Sequence, residues 1–358
     1  MEAIVRLDNV SKRYGRGRYI IKNLNLDIYE GEFVTLLGSS GCGKTTILRL
    51  ISGLEEVTAG NVYIGGEDVT NVDAAKREVN TIFQNFALFP HMTVFENVSF
   101  GLRMRKEKAG VIKREVNKAL KIVDLDGFEN RYPDQLSGGQ QQRVAIARGI
   151  VMHPKVLLLD ESLCSLDLKL KRMMQIELKK IQKKLGLTFI YVTHDQDEAL
   201  TMSDRIVIIE NGKIQQDDTP QNIYCNPKTA FVADFIGESN IFKVTVRSCK
   251  DGEVTAAAEN GLVFVFDSEG YKRGDKLSVM IRPENIKLSK NVLSSSADGI
   301  VKDVVYDGII SKVFVSCFDN VTFRVTVPGS MKLSPGDKVY MKIDKNDIVP
   351  IAENKHEK

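Results

Sequence analysis

Phe33-Val-Thr-Leu-Leu-Gly-Ser-Ser-Gly-Cys-Gly-Lys-Thr45 is the stretch on which the fold turns. Its first half, Phe33 to Leu37, is an unbroken apolar run. Such a run suits a strand covered on both faces, as in an α/β sheet. Its second half, Gly38 to Thr45, spaces a glycine, four residues and then Gly-Lys-Thr. That is the pattern of a phosphate-binding loop, and the segment Ile47 to Leu54 reads as the helix that should follow it. Glycines let the backbone curl until its N–H groups face an anion, and the helix N-terminus adds partial positive charge. The expected nucleotide contacts are Gly38, Ser39, Ser40, Gly41, Cys42, Gly43, Lys44, Thr45 and Thr46. Lys44 is expected to reach the β- and γ-phosphates, and the Thr45 hydroxyl to ligate Mg²⁺.

Outward from this loop the same grammar repeats. Val156-Leu-Leu-Leu159, Phe189-Ile-Tyr-Val192 and Ile206-Val-Ile-Ile209 read as further buried strands. Between them, Lys108–Leu125 and Leu168–Leu185 carry apolar residues at helical spacing. Asp160-Glu161 closes the second strand. Successive side chains on a strand point opposite ways, so one carboxylate can face a metal and the other an attacking water. Asp160 is assigned to Mg²⁺ and Glu161 to the general-base or water-orienting role.

The character changes near Phe235-Ile-Gly237. Beyond it lie short alternating runs, among them Phe242–Val246 and Val321–Val327, with turn signals at Asp251-Gly252, Gly274-Asp275, Asp307-Gly308 and Pro335-Gly-Asp337. Strands at this spacing predict a small all-β barrel or sandwich. A chain of 358 residues predicts about two domains. The expected division is 1–236 for the α/β domain, 237–352 for the β domain and 353–358 for a polar tail.

Composition excludes several classes of function. The net charge of +3 argues against a basic nucleic-acid module. No apolar run approaches the ~20 residues that span a bilayer, and Met1 to Asp8 lacks the core of a signal peptide. Five scattered cysteines suit reduced thiols rather than disulfides or a zinc site.

One further segment is much more specific. Leu136-Ser-Gly-Gly-Gln140 resembles the signature motif of ATP-binding-cassette (ABC) ATPases, and the other motifs of that family appear in order. The resemblance implies a RecA-like core with a helical subdomain over about 87–150. It implies that Tyr14 stacks on adenine and that Gln84 senses Mg²⁺ and the attacking water. His194, in Tyr191-Val-Thr-His-Asp195, would contact the γ-phosphate. Catalysis would thus rest on Lys44, Gln84, Glu161 and His194, with Thr45, Gln84 and Asp160 around the metal. Ser137, Gly138, Gly139 and Gln140, together with Asp167 in Ser165-Leu-Asp167, would act in trans on the nucleotide of a second copy. One set of motifs per chain implies a homodimer with two sites. The signature is also readable physically: a hydroxyl on Ser137, exposed N–H groups on Gly138 and Gly139, and a helix start at Gln141 make an anion site.

The likeness extends to importer ATPases. Asn85–Asn97 resembles the stretch that receives a helix of a membrane subunit, with Phe86, Leu88 and Phe89 either lining that groove or filling the core. The C-terminal β region resembles their OB-like (TOBE-type) regulatory domain, in which Arg282 and Glu284 are read as scaffold. Asp160-Glu-Ser-Leu163 carries Ser162 where most importer ATPases have proline, a feature of the polyamine branch. The implied partners are a second copy, two integral membrane permease subunits and, indirectly, a periplasmic or extracellular solute-binding protein; no nucleic acid is expected. The implied location is peripheral, on the cytoplasmic face of the cell membrane. Alternatives are an importer ATPase for a sugar, a betaine or an inorganic anion, or a soluble ABC ATPase of translation or DNA repair. A P-loop kinase is disfavoured by the signature segment and His194.

Overall fold

The structure, a computed structural model, describes residues 2–15, 17–161, 168–294, 296–317 and 321–352. Ser162, Cys164, Asp167 and the tail 353–358 therefore lie outside the described residues. The chain divides into two compact units, Met1–Pro220 and Gln221–Lys358.

In chain order, the first unit holds β1 (Ala3–Arg13), β2 (Tyr19–Tyr29), β3 (Phe33–Gly38), α1 (Lys44–Ser52), β4 (Ala59–Ile64), β5 (Glu67–Asp68) and β6 (Val79–Ile82). There follow α2 (Val94–Met104), α3 (Ala109–Ile122), α4 (Gly138–Ile150), β7 (Val156–Asp160), α5 (Leu168–Leu185), β8 (Thr188–Thr193), α6 (Gln196–Met202), β9 (Arg205–Glu210) and β10 (Lys213–Asp218). One sheet runs β10-β9-β3-β8-β7-β6, parallel except for the β9–β10 hairpin. The other, β2-β1-β4-β5, is antiparallel.

The unbroken apolar runs have a direct cause. Phe33, Leu157, Leu159, Phe189 and Tyr191 pack into one core with α2, α3, α4 and α5. Their neighbours Val34, Leu36, Val156, Leu158, Ile190 and Val192 pack into a second core with α1, β1 and β2. Both faces of the sheet are covered, so alternation disappears from the sequence. Helix starts are written locally. Thr93 and Glu96 form a capping box at α2, and Ser137 and Gln140 form one at α4.

The second unit opens with α7 (Pro220–Cys225) and α8 (Ala230–Phe235). It continues through β11 (Asn240–Lys250), β12 (Glu253–Ala258), β13 (Val263–Asp267), β14 (Lys276–Ile281), β15 (Lys287–Ser289), β16 (Ala297–Asp307), β17 (Ile310–Cys317), β18 (Val321–Pro328), β19 (Lys338–Lys342) and β20 (Ile348–Ala352). Two antiparallel sheets, β13-β12-β11-β14-β20 and β15-β19-β16-β17-β18, share one apolar cluster. Asp251-Gly252 and Asp307-Gly308 turn the β11–β12 and β16–β17 hairpins.

Arg282 explains why the compact unit begins at residue 221, ahead of the change in sequence character near 236. Its buried guanidinium donates to the carbonyls of Tyr224 (2.7 Å), Ala233 (3.2 Å), Ile236 (2.6 Å) and Glu238 (3.2 Å). It also lies over the Tyr224 ring, whose hydroxyl donates to Glu284 at 2.5 Å. Arg282 and Glu284 thus tie the two short helices and the 236–239 segment to the β sheets.

Candidate nucleotide site

Sheet order builds the site. β3 lies between β8 and β9, and β7 lies on the far side of β8. Register pairs Leu37 with Thr193 and Asp160 with Val192. The carboxyl ends of three neighbouring strands therefore bring the loop, His194 and the two carboxylates to one edge, where ligands of open α/β sheets bind.

At Gly38 the loop leaves β3 where a Cβ would stand 2.2 Å from the Ile209 carbonyl oxygen. Only glycine fits so close an approach. Gly43, at φ 108°, is the N-cap of α1, which aims that helix's free N–H groups at the loop. Lys44 is buried, and its Nζ donates to the carbonyls of Gly38 (2.7 Å) and Ser39 (2.8 Å). Cys42 is buried behind it, with Sγ 3.7 Å from Lys44 Nζ.

Thr45 Oγ1 donates to Asp160 Oδ1 at 3.5 Å. Burial, and next the adjacent Glu161 charge, push the Asp160 carboxyl above its ordinary range. Glu161 Oε1 lies 3.1 Å from His194 Nδ1. Ser40, Gly41, Gly43, Lys44, Thr45, Thr46, Glu161 and His194 line one cleft of about 270 Å³. This is an anion cradle with a carboxylate and an imidazole on its rim and a second, half-buried carboxylate behind the Thr45 hydroxyl. It can hold a polyphosphate and deliver a water to it.

Other predicted residues fall elsewhere. Tyr14 is exposed, with Lys12 Nζ 4.9 Å from its ring centre, and Gln84 is exposed beyond β6; neither is among the residues lining the cleft. Ser137 is exposed at the start of α4, where its hydroxyl accepts from the Gln140 N–H and the Gln140 side chain accepts from the Ser137 N–H. Gly139 has a second use besides its N–H. It is buried, and an added Cβ would stand 3.2 Å from Leu170 Cδ1, so it serves close helix packing.

Three features escaped sequence reasoning. Ile20, at the start of β2, also lines the cleft. Arg77 donates to the carbonyls of Leu50 (2.7 Å) and Ile51 (3.0 Å), capping the far end of α1. Behind His194, Lys171 lies 2.6 Å from Asp195 Oδ2 and 2.8 Å from Glu198 Oε1. Only the last had a sequence signal: Asp195 and Glu198 have the spacing of a helix N-terminus, and Asp195 does cap α6.

Loop, strand order and paired carboxylates define an ATP-binding cassette. Residues 21–163 match the family model described as ABC transporter, and residues 279–351 match that of the TOBE domain. The chain is 51% identical over 328 residues to the spermidine/putrescine import ATP-binding protein PotA of Haemophilus influenzae, covering 90% of this chain and 88% of that protein. It is 48% identical over 345 residues to the protein of the same name from Acetivibrio thermocellus, covering 96% and 95%. Among solved structures it resembles CbiO1 of Clostridium perfringens, part of the ABC transporter complex CbiONQ (TM-score 0.58, 28% identity, 62% of this chain and 91% of that one). It also resembles the ATP-binding cassette MJ0796 in a dimeric, post-hydrolysis state bound to ADP and Pi (TM-score 0.53, 36% identity, 60% and 98%). The chain belongs to the family of ABC transporter ATP-binding proteins, in the branch of these PotA import proteins.

Proposed function

We propose that the chain is the ATP-hydrolysing, energy-coupling subunit of an importer for the polyamines spermidine and putrescine. The observation that carries the ATPase reading is the contact between Glu161 and His194 at the lip of the phosphate loop. The solute rests on the relatives named above.

The donor set also fits a divalent cation. Thr45 and Asp160 offer hard oxygens beside the Glu161 carboxylate, a donor set that suits a hard cation. Mg²⁺ held by Thr45 and Asp160, with Gln84 as a third ligand, would neutralise phosphate charge. Lys44 turns from the loop carbonyls to the β- and γ-phosphates. Glu161 orients the attacking water and accepts its proton, and His194 holds Glu161 and reaches the γ-phosphate. Tyr14 stacks on the adenine.

A second copy closes over this site, supplying Ser137, Gly138, Gly139, Gln140 and Asp167. ATP stabilises the closed homodimer, and loss of the γ-phosphate releases it. Residues 1–236 form the catalytic cassette and 237–352 the regulatory β domain. Two permease subunits receive the motion at the cytoplasmic face of the membrane, and a solute-binding protein delivers polyamine to them. Among the described residues no helix is long and apolar enough to cross a membrane. The test is uptake of labelled spermidine and putrescine by cells lacking this chain. Wild type restores it and Glu161→Gln does not. The purified variant binds ATP but turns over ~10²–10³ slower, by analogy with loss of one transition-state donor. Unchanged uptake in the deleted cells refutes the polyamine reading.

A further inference from the structure

Lys171, Asp195 and Glu198 form an ion cluster beneath the cleft that the catalytic scheme does not use. Glu198 is fully buried, and the Lys171 side chain is 16% exposed. One Glu198 oxygen lies 2.8 Å from Lys171 Nζ; the other accepts from the hydroxyls of Tyr191 and Thr193. Asp195 accepts from Lys171 at 2.6 Å and from the Glu198 N–H at 3.1 Å, and its own N–H donates to Thr193 Oγ1 at 3.0 Å.

His194 sits between these anchors. Its neighbours Thr193 and Asp195 are both bound into the cluster, while its own ring is 58% exposed and meets the rim of the cleft at Glu161. An exposed ring is held in one place by the backbone on either side of it. We propose that Lys171 is a positioning residue for hydrolysis: by neutralising Asp195 and Glu198 it fixes the 193–195 backbone and so holds His194 against Glu161.

The energetics favour this reading. Two carboxylates face one ammonium, so removing the ammonium leaves a fully buried charge without its cation. That arrangement is strongly unfavourable and is relieved by moving the segment that carries it. Burial alone would lower the Lys171 pKa, yet the two carboxylates carry it above the ordinary lysine value. Burial likewise opposes ionisation of Asp195, and the Lys171 hydrogen bond overrides it, leaving that pKa lowered. The segment free to move is the β8–α6 junction, which contains His194. Lys171 is on α5 and, among the described residues, is not one of those lining the cleft, so nucleotide binding is expected to be left intact.

The inference rests on the ATPase reading, and the experiment separates the two. Steady-state hydrolysis by the purified full-length chain is measured for wild type, Lys171→Met and Lys171→Arg, with affinity for a fluorescent ATP analogue. The His194 ring C–H resonance, assigned with His194→Ala, is followed in each; the chain has only four histidines. Lys171→Met lowers kcat about 10- to 100-fold, the scale of a small misplacement of a catalytic group, with nucleotide affinity changed less than about twofold. The His194 resonance moves while those of His91, His153 and His356 stay, and Lys171→Arg restores both rate and resonance. An unchanged kcat overturns the proposal, as does a rate loss with an unmoved His194 resonance. If Lys171→Met does not fold, Asp195→Asn replaces it. That variant keeps a capping side chain but loses the charge, and the same two readouts decide. No hydrolysis by wild type refutes the ATPase reading instead.

Discussion

Replacing Arg77 with methionine tests how firmly the far end of α1 holds the phosphate loop. The guanidinium donates to Leu50 and Ile51 at the carboxyl end of that helix, and to Thr70 (3.2 Å) and Val72 (2.9 Å) in the segment after β5. Among the described residues no carboxylate pairs with it, and burial lowers its pKa. Arg77→Met strands two helix-end carbonyls that have no intrahelical donor. Each stranded buried carbonyl costs about 1–3 kcal/mol, and the guanidinium's own desolvation is relieved, so the net loss is about 2–4 kcal/mol. For a unit of this size that lowers the melting temperature by roughly 5–15 °C. Arg77→Lys recovers little, because one ammonium cannot reach four carbonyls in two directions. The assay is calorimetric melting of the full chain, together with KM for ATP, which rises as the helix carrying Lys44 and Thr45 loosens. A melting temperature within about 1 °C of wild type refutes the reasoning, since no buried hydrogen-bonded cation should be so cheap to remove.

Two further substitutions probe the shared site and the buried acid. Ser137→Arg abolishes hydrolysis while the same subunit still binds ATP. The lost α4 cap costs about 1 kcal/mol, so Ser137→Asp, which keeps a cap, separates capping from catalysis; loss of binding in Ser137→Arg would count against action in trans. Asp160→Asn abolishes hydrolysis yet stabilises the fold at neutral pH. The native Asp160 pKa is raised, so the native state holds a proton that the unfolded chain releases, and wild-type stability falls as pH climbs through that window. The variant's advantage in melting temperature is present at about pH 8 and shrinks towards pH 4; an advantage independent of pH would show that Asp160 does not titrate there.

Legibility in the sequence followed the range of the interactions. Strands covered on both faces announce themselves as apolar runs, and all four such runs lie in the parallel part of the β10-β9-β3-β8-β7-β6 sheet. The loop is a local pattern and was readable too; the capping box at Ser137 is just as local, yet the helix was expected from Gln141 and it begins at Gly138. The β2-β1-β4-β5 sheet was not readable. β1 pairs with β2 through four register shifts, which scramble the period of two on which strand reading depends. Ile20 and Lys171 were invisible because the groups they meet lie 20 or more residues away, and the helix-end carbonyls that Arg77 caps are 26 and 27 residues distant. The packing use of Gly139 was hidden because a glycine that admits a neighbouring helix and one that offers its N–H to a ligand look alike in sequence.

The carboxylate pair shows where geometry goes beyond pattern. A continued strand would send Asp160 and Glu161 to opposite faces of the sheet, one of them into a core. Instead β7 ends at Asp160, and Glu161 adopts φ 45°, a left-handed conformation rare for any residue but glycine. Such a backbone costs about 1–3 kcal/mol and persists only where the surroundings over-determine it. Here the Glu161 N–H donates to the Val192 carbonyl at 3.0 Å, and its side chain meets His194. The twist places Glu161 on the cleft rim while Asp160 stays half-buried beside Thr45. Glycine at 161 would relieve the strain and stabilise the backbone while removing the carboxylate proposed as the base. The strain is therefore the cost of keeping two adjacent carboxylates at the same strand end, and the register between β7 and β8 sustains it.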